Sequence, residues 1–101
     1  IVNYINHNYY NNITLDLLSK NFFISKYYLC RIFKEITGLN VVEYVNKKRL
    51  LEAEILMKYS KLNITEISEK VGFNSVNHFI KLFKKEYDYT PKAFQEMMIT
   101  G

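Results

Sequence analysis

Apolar residues recur three and four positions apart along most of the chain, and polar capping residues punctuate the recurrences. That pattern predicts helices. Val2, Ile5 and Tyr9 share one face of a first helix, Ile1 to Tyr10, which Asn11 and Asn12 end. Thr14 is a suitable N-cap for a short helix through Phe22, with Asp16 in its first turn. Ser25 caps the next, where Leu29, Ile32, Phe33 and Ile36 form the predicted buried stripe, and Gly38 supplies a left-handed closing residue. Asn40 and Glu43 read as a capping box opening a long helix, about Val41 to Lys58. Asn63 and Glu66 cap a short helix to Val71, and Gly72 makes the turn after it. Ser75 then caps a helix carrying Phe79, Leu82 and Phe83 inward, and Thr90-Pro91 starts a last helix to about Met98. The predicted class is all-α, with seven helices.

The two halves repeat each other. At a shift of 50, Leu29, Arg31, Ile32, Phe33 and Lys34 fall on Phe79, Lys81, Leu82, Phe83 and Lys84, and Tyr44 falls on Phe94. The helices before these align at a shift of 49: Leu15 with Ile64, Leu18 with Ile67, Ser19 with Ser68. One extra residue in the second turn reconciles the two shifts. Two copies of a short-helix, turn, longer-helix unit follow, which is the helix-turn-helix arrangement. The expected organisation is a single domain over residues 1–101, with a first lobe at about 1–39, a linker helix at about 41–58 and a second lobe at about 60–101.

Composition adds charge to this picture. The 101 residues are 49% hydrophobic and 24% charged, ordinary for a globular domain, with three glycines, one proline and no tryptophan. The net charge of +4 favours a polyanionic partner. The lone Cys30 has no internal disulfide partner and fits a reducing cytosol. No apolar run approaches the ~18 residues of a membrane helix. The chain opens on Ile1 without a signal-peptide core, and it reads as a fragment of something longer.

A helix-turn-helix unit lays its second helix in the DNA major groove, with residues near the N-terminus reaching base edges. Removing the predicted core stripe from the first such helix leaves Lys26, Tyr27, Cys30, Arg31 and Lys34. In the second copy it leaves Val76, Asn77, Ile80, Lys81 and Lys84, with Lys85 beside them. Neither face is expected to hold an acid, because Glu35 and Glu86 come later and Glu43, Glu52 and Glu54 decorate the long helix. Arginine can donate bidentately to guanine, asparagine can pair with adenine, and apolar atoms can meet a thymine methyl. Lysines neutralise phosphates and gain affinity from counterion release. The long helix, ~18 residues at 1.5 Å rise, gives roughly 27 Å. With the helix widths added, this approaches the ~34 Å of one DNA turn, so one chain is expected to occupy two successive major grooves.

Nearly the whole chain resembles the DNA-binding domain of the AraC/XylS family of bacterial transcription regulators. The resemblance rests on Leu15, Leu18, Ser25, the run Tyr28 to Lys34 and Gly38 in the first unit. It continues through Tyr44, Arg49-Leu50, Ala53 and Leu56-Met57. The most specific stretch is Ile67, Val71-Gly72-Phe73, His78-Phe79, Lys81, Phe83-Lys84-Lys85 and Thr90-Pro91. It implies a bi-lobed all-α domain with recognition helices at Lys26–Ile36 and Val76–Glu86. Base-reading roles are implied for Tyr27, Cys30, Arg31, Val76, Asn77, Ile80 and Lys81, and phosphate contacts are expected at Ser25, Lys26, Lys34, Ser75, Lys84 and Lys85. It also implies a C-terminal position behind a sensing or dimerising domain, RNA polymerase as a partner, and work in the cytoplasm at the nucleoid. The chain departs from the family pattern in places: Ser19 and Ser68 stand for small alanines, Asp88 for a glycine and Gln95 for an arginine, and Phe23 and Ile24 make the first turn unusually apolar. Val76 and Ile80 stand where polar readers are common, so weaker discrimination is expected of the second helix.

No catalytic, cofactor-binding or metal-binding residue is assigned. There is no nucleophile elbow, no glycine-rich phosphate loop and no Cys/His cluster, and His7 and His78 lack partners at ligand spacing. The reading is therefore a sequence-specific DNA-binding regulator rather than an enzyme. The alternative is a helical protein-interaction adaptor that does not bind DNA.

Overall fold

Every helix of the computed structural model after the first begins where a capping side chain meets orphan backbone amides. The structure describes residues 1–100, with side chains through residue 98. The order is α1 (Val2–Asn8), α2 (Leu15–Phe22), α3 (Lys26–Thr37), α4 (Val41–Tyr59), α5 (Ile64–Lys70), α6 (Val76–Tyr87) and α7 (Pro91–Thr100), and no strand occurs among the described residues. Thr14 Oγ1 accepts the Leu17 amide at 3.1 Å, Ser25 Oγ that of Tyr28 at 3.1 Å, and Ser75 Oγ that of His78 at 3.3 Å. Two full capping boxes form. At α4, Asn40 Oδ1 accepts the Glu43 amide while Glu43 Oε1 accepts the Asn40 amide; at α5, Asn63 and Glu66 do the same.

The chain divides within α4 into two units, Ile1–Lys48 and the residues from Arg49 on. In the first, Ile5, Leu18, Leu29, Phe33, Val41 and Val45 form the core, with Tyr4, Ile24 and Tyr44 packed at its edge. Tyr44 meets the Phe33 ring edge-on at 5.4 Å and donates its hydroxyl to Asn6 Oδ1. The second unit buries Leu50, Ala53, Met57, Ile67, Val71, Phe73, Phe79 and Phe83, and its aromatic rings form a contiguous cluster. Phe83 stands at the centre of that cluster, 5.8 Å from Phe79, 4.4 Å from Tyr87 and 5.4 Å from Phe94.

The internal repeat survives in three dimensions. Phe33 meets Tyr44 and Phe83 meets Phe94 at the same 5.4 Å separation, as the shift of 50 requires. Across the turns, the Ile24 amide donates to the Ser19 carbonyl and the Phe73 amide to the Ser68 carbonyl, in line with the shift of 49. Ser68 is the buried polar residue of the core, 1% exposed, and its hydroxyl donates back to the Thr65 carbonyl at 2.9 Å.

One core assignment is corrected. Ile36, expected in the buried stripe, is 73% exposed. At the end of α3 the inward row runs in steps of four, Leu29, Phe33, Thr37, and Thr37 donates its hydroxyl to the Phe33 carbonyl at 2.8 Å. Ile36 is left beside an open apolar cleft lined by Ile1, Val2 and Ile32.

Candidate nucleic-acid interface

The exposed face of each second helix is set by what its opposite face buries. In α3, Leu29 and Phe33 are held in the first core, which turns Tyr27, Cys30, Arg31 and Lys34 outward. These four line one open concavity of about 420 Å³, and Tyr27 is 78% exposed. Four of the first unit's candidates are thus brought together on a single surface.

Glu35 lines the same concavity. The expectation of an acid-free face is therefore wrong for α3. A step of four places Glu35 on the strip of Arg31, and its Oε1 lies 3.7 Å from the arginine Nε. A second acid reaches the helix from outside: Asp16 of α2 forms an ion pair with Lys26. The hydrogen bond from Lys26, and then its charge, hold the Asp16 carboxyl below its ordinary value. Lys26, expected on a phosphate, already has an anion. The Arg31–Glu35 spacing was readable in the sequence as an i, i+4 pair. The Asp16–Lys26 pair bridges a turn and had no local signal.

In α6, Asn77, Lys81, Lys84 and Lys85 are exposed, and the three lysines meet no carboxylate among the described residues. Val76 and Ile80 are half-buried on the neighbouring strip. They border a groove of about 450 Å³ with Ile64, Thr65, Thr90 and Pro91. The structure thus separates the apolar candidates of the second helix from its polar ones. Ser25 and Ser75 each accept one capping bond and keep their hydroxyl protons free to donate.

The turns that hold these helices use left-handed residues. Phe23 has φ 56° and Gly72 φ 105° at equivalent places, and Phe23 is 93% exposed. At the far ends, Gly38 (φ 77°) closes α3 and Asp88 (φ 66°) closes α6. On α4, Lys47 is exposed, Lys48 Nζ lies 5.6 Å over the Tyr9 ring, and Arg49 lies 5.6 Å over Phe73. Desolvation lowers the Arg49 pKa, yet the group keeps its charge at any physiological pH. His78 is exposed and flanks the core, its ring centre 5.8 Å from that of Phe73 in an edge-to-face arrangement. Among the described residues no three His, Cys, Asp or Glu side chains gather to hold a metal, and no helix is long and apolar enough to cross a membrane.

This geometry has close counterparts. A family model of helix-turn-helix domains, of the AraC type, matches residues 18–97. The chain belongs to the AraC/XylS family. It is 38% identical over 84 residues to the probable transcription factor PqrA of Proteus vulgaris, covering 83% of this chain and 69% of that protein. It is 36% identical over 95 residues to the uncharacterized HTH-type transcriptional regulator YdiP of Escherichia coli K12, covering 94% of this chain and 31% of YdiP. The chain therefore spans about a third of the length of YdiP, and of the uncharacterized HTH-type transcriptional regulator YdeC of Bacillus subtilis. Among solved structures, the C-terminal domain of the two-component response regulator yesN from Fusobacterium nucleatum superposes with a TM-score of 0.87 at 38% identity, covering 92% of this chain and 91% of that one. As an AraC/XylS-type domain the chain is part of the transcription-regulation machinery and not an enzyme. Its two helix-turn-helix units keep the family's backbone even where residues depart from the pattern. Asp88 adopts a left-handed geometry, and Ser68 satisfies its hydroxyl inside the core.

Proposed function

We propose that the chain is a sequence-specific DNA-binding domain that inserts α3 and α6 into successive major grooves on one face of a duplex. One observation carries this reading. The same buried-stripe geometry occurs twice, and each time it leaves the second helix of a helix-turn-helix unit with an exposed cation-bearing face. Tyr27, Cys30 and Arg31, with Asn77 and Lys81, are the proposed base readers, and Val76 and Ile80 are edge contacts suited to a thymine methyl. Lys34, Lys84 and Lys85 supply phosphate neutralisation, Ser25 and Ser75 donate their hydroxyl protons, and Lys26 joins them once DNA displaces Asp16.

Relatives three times this length leave room for a sensing or dimerising domain in front. RNA polymerase is the proposed protein partner, and the nucleoid in the cytoplasm is the proposed place of work.

Selection of bound sequences from a random duplex pool, followed by a salt titration on the winner, tests the reading. The expected result is a site with two blocks about 10 base pairs apart and an affinity that falls steeply as salt rises. A single enriched block would restrict base reading to one helix. Equal, salt-insensitive binding to every sequence would remove the DNA reading altogether.

A further inference from the structure

The structure assigns a role to Glu35: it is a positioning residue for sequence discrimination, holding Arg31 through Nε so that the two terminal guanidinium nitrogens face a base. This rests on the DNA reading above and adds a residue that faces the groove without neutralising a phosphate.

The argument begins with placement. Glu35 and Arg31 are each 60% exposed, 3.7 Å apart, and share one concavity with Tyr27, Cys30 and Lys34. An exposed i, i+4 pair adds little to a helix, so stability is a poor reason for an acid here. For a helix that approaches phosphates, a carboxylate on the docking face opposes every encounter. The fold does not demand it, because the equivalent position of the second unit, four residues after Lys81, is Lys85.

The chemistry of the contact supplies the benefit. Bidentate reading of guanine uses two parallel N–H donors. The nearest arginine nitrogen to Glu35 is Nε, and this leaves the two terminal nitrogens uncommitted. An unpaired arginine stem can swing toward phosphate, whereas one drawn toward Glu35 is biased away from it. Water is excluded when the groove closes over the face, and the pair strengthens in that drier setting. Glu35 therefore lowers affinity for random DNA and raises preference at the base pair that Arg31 reads.

The test compares the unmodified chain with Glu35→Ala, Glu35→Gln, Arg31→Ala and the Arg31→Ala/Glu35→Ala double variant. Each is titrated on the selected site, on its single-base-pair variants and on random duplex, with thermal melts alongside. For Glu35→Ala the expectation is about a five- to tenfold loss of preference at one base pair, the same one affected by Arg31→Ala, with random-duplex affinity equal or higher. Glu35→Gln, which keeps the shape but removes the charge that draws Nε across 3.7 Å, should lose preference at the same base pair. The double variant should lose no more preference there than Arg31→Ala alone.

Parallel weakening on specific and random DNA, together with a lower melting temperature, would reduce Glu35 to a helix stabiliser and overturn the proposal. Loss of preference at a different base pair would make Glu35 a direct reader, of a cytosine amine for instance, and would also overturn it. If the unmodified chain shows no sequence preference, the DNA reading itself fails. If it shows preference that Glu35→Ala leaves untouched, only the role of Glu35 fails.

Discussion

The first and second helix-turn-helix units share their caps, their turns and the placement of their main aromatic pair, yet they surround the reading helix differently. In the first, Lys26 is held by Asp16 and Arg31 by Glu35, over a mainly aliphatic core of Leu18, Leu29, Val41 and Val45. In the second, Lys81, Lys84 and Lys85 meet no carboxylate among the described residues, and the core beneath is a cluster of aromatic rings around Phe83. A duplicated backbone has thus been given two electrostatic characters. Paired cations suit a face that must reject wrong sequences, because each ion pair reduces the attraction felt for phosphate in general. Unopposed lysines suit a face that holds any duplex.

The largest expected effects separate the two cores. Phe83 is fully buried and touches three other rings, whereas Phe33 meets one. Phe83→Ala should cost about 3–5 kcal/mol, a large share of the stability of a domain this size. Phe33→Ala should fall toward the lower end of that range. Urea denaturation of the two variants makes the comparison. A loss for Phe33→Ala equal to or greater than that for Phe83→Ala would contradict the placing of the aromatic hub in the second unit.

Next come the exposed faces. Arg31→Ala should cost about 1–3 kcal/mol on the selected site and relax preference at one base pair. Lys84→Ala should weaken all sequences alike and reduce the salt slope by about one. Titrations on specific and random duplex at several salt concentrations give both quantities. Identical behaviour of the two variants would erase the distinction between a reading face and a gripping face.

Much of this was legible in the residue pattern, and the exceptions share a cause. Caps at Thr14, Ser25, Asn40, Asn63 and Ser75 depend on local backbone, so the sequence signals matched the observed bonds. The repeat was readable because Phe33 with Tyr44 and Phe83 with Phe94 solve the same contact at the same spacing. The burial of Ile36 was misjudged because both three- and four-residue steps extend an apolar stripe, and only the seat of the helix end decides between Ile36 and Thr37. Glu35 was placed by its position late in α3 rather than by the strip it shares with Arg31. Asp16 pairs with Lys26 across the turn, which no periodicity within α2 or α3 encodes.

The turns offer a smaller and oppositely signed pair of tests. Phe23 holds φ 56° with its ring almost wholly exposed, so a bulky side chain bears left-handed backbone without burial to offset it. Phe23→Gly should stabilise the first unit by about 0.5–1 kcal/mol. Gly72→Ala, at φ 105°, should destabilise the second by at least as much. Thermal melts shifting by a few degrees in opposite directions are the expected readout. A Phe23→Gly variant that melts lower would show that the ring contributes folded-state contacts the exposed turn does not reveal.

The smallest effect is an alkaline pH dependence that Tyr87 gives the second unit. Burial first, then the charge of Glu54 and a hydrogen bond to it, push the Tyr87 pKa up to about 12; the charge of Glu86 adds to this. The equivalent position of the first unit is Thr37, which does not titrate. An unfolded tyrosine ionises near pH 10, so the folded state holds the Tyr87 proton where the unfolded state has released it. The contribution is fully present below about pH 10 and is lost as pH rises through 12. Tyr87→Phe should flatten the alkaline part of the stability profile, while Thr37→Val should leave its slope unchanged. Subtracting the tyrosinate absorbance titration of Tyr87→Phe from that of the unmodified chain isolates the one group among nine tyrosines. A difference curve centred near 12 supports the half-buried contact with Glu54. One centred near 10 would mean that Tyr87 is solvated, and the alkaline distinction between the two units would disappear with it.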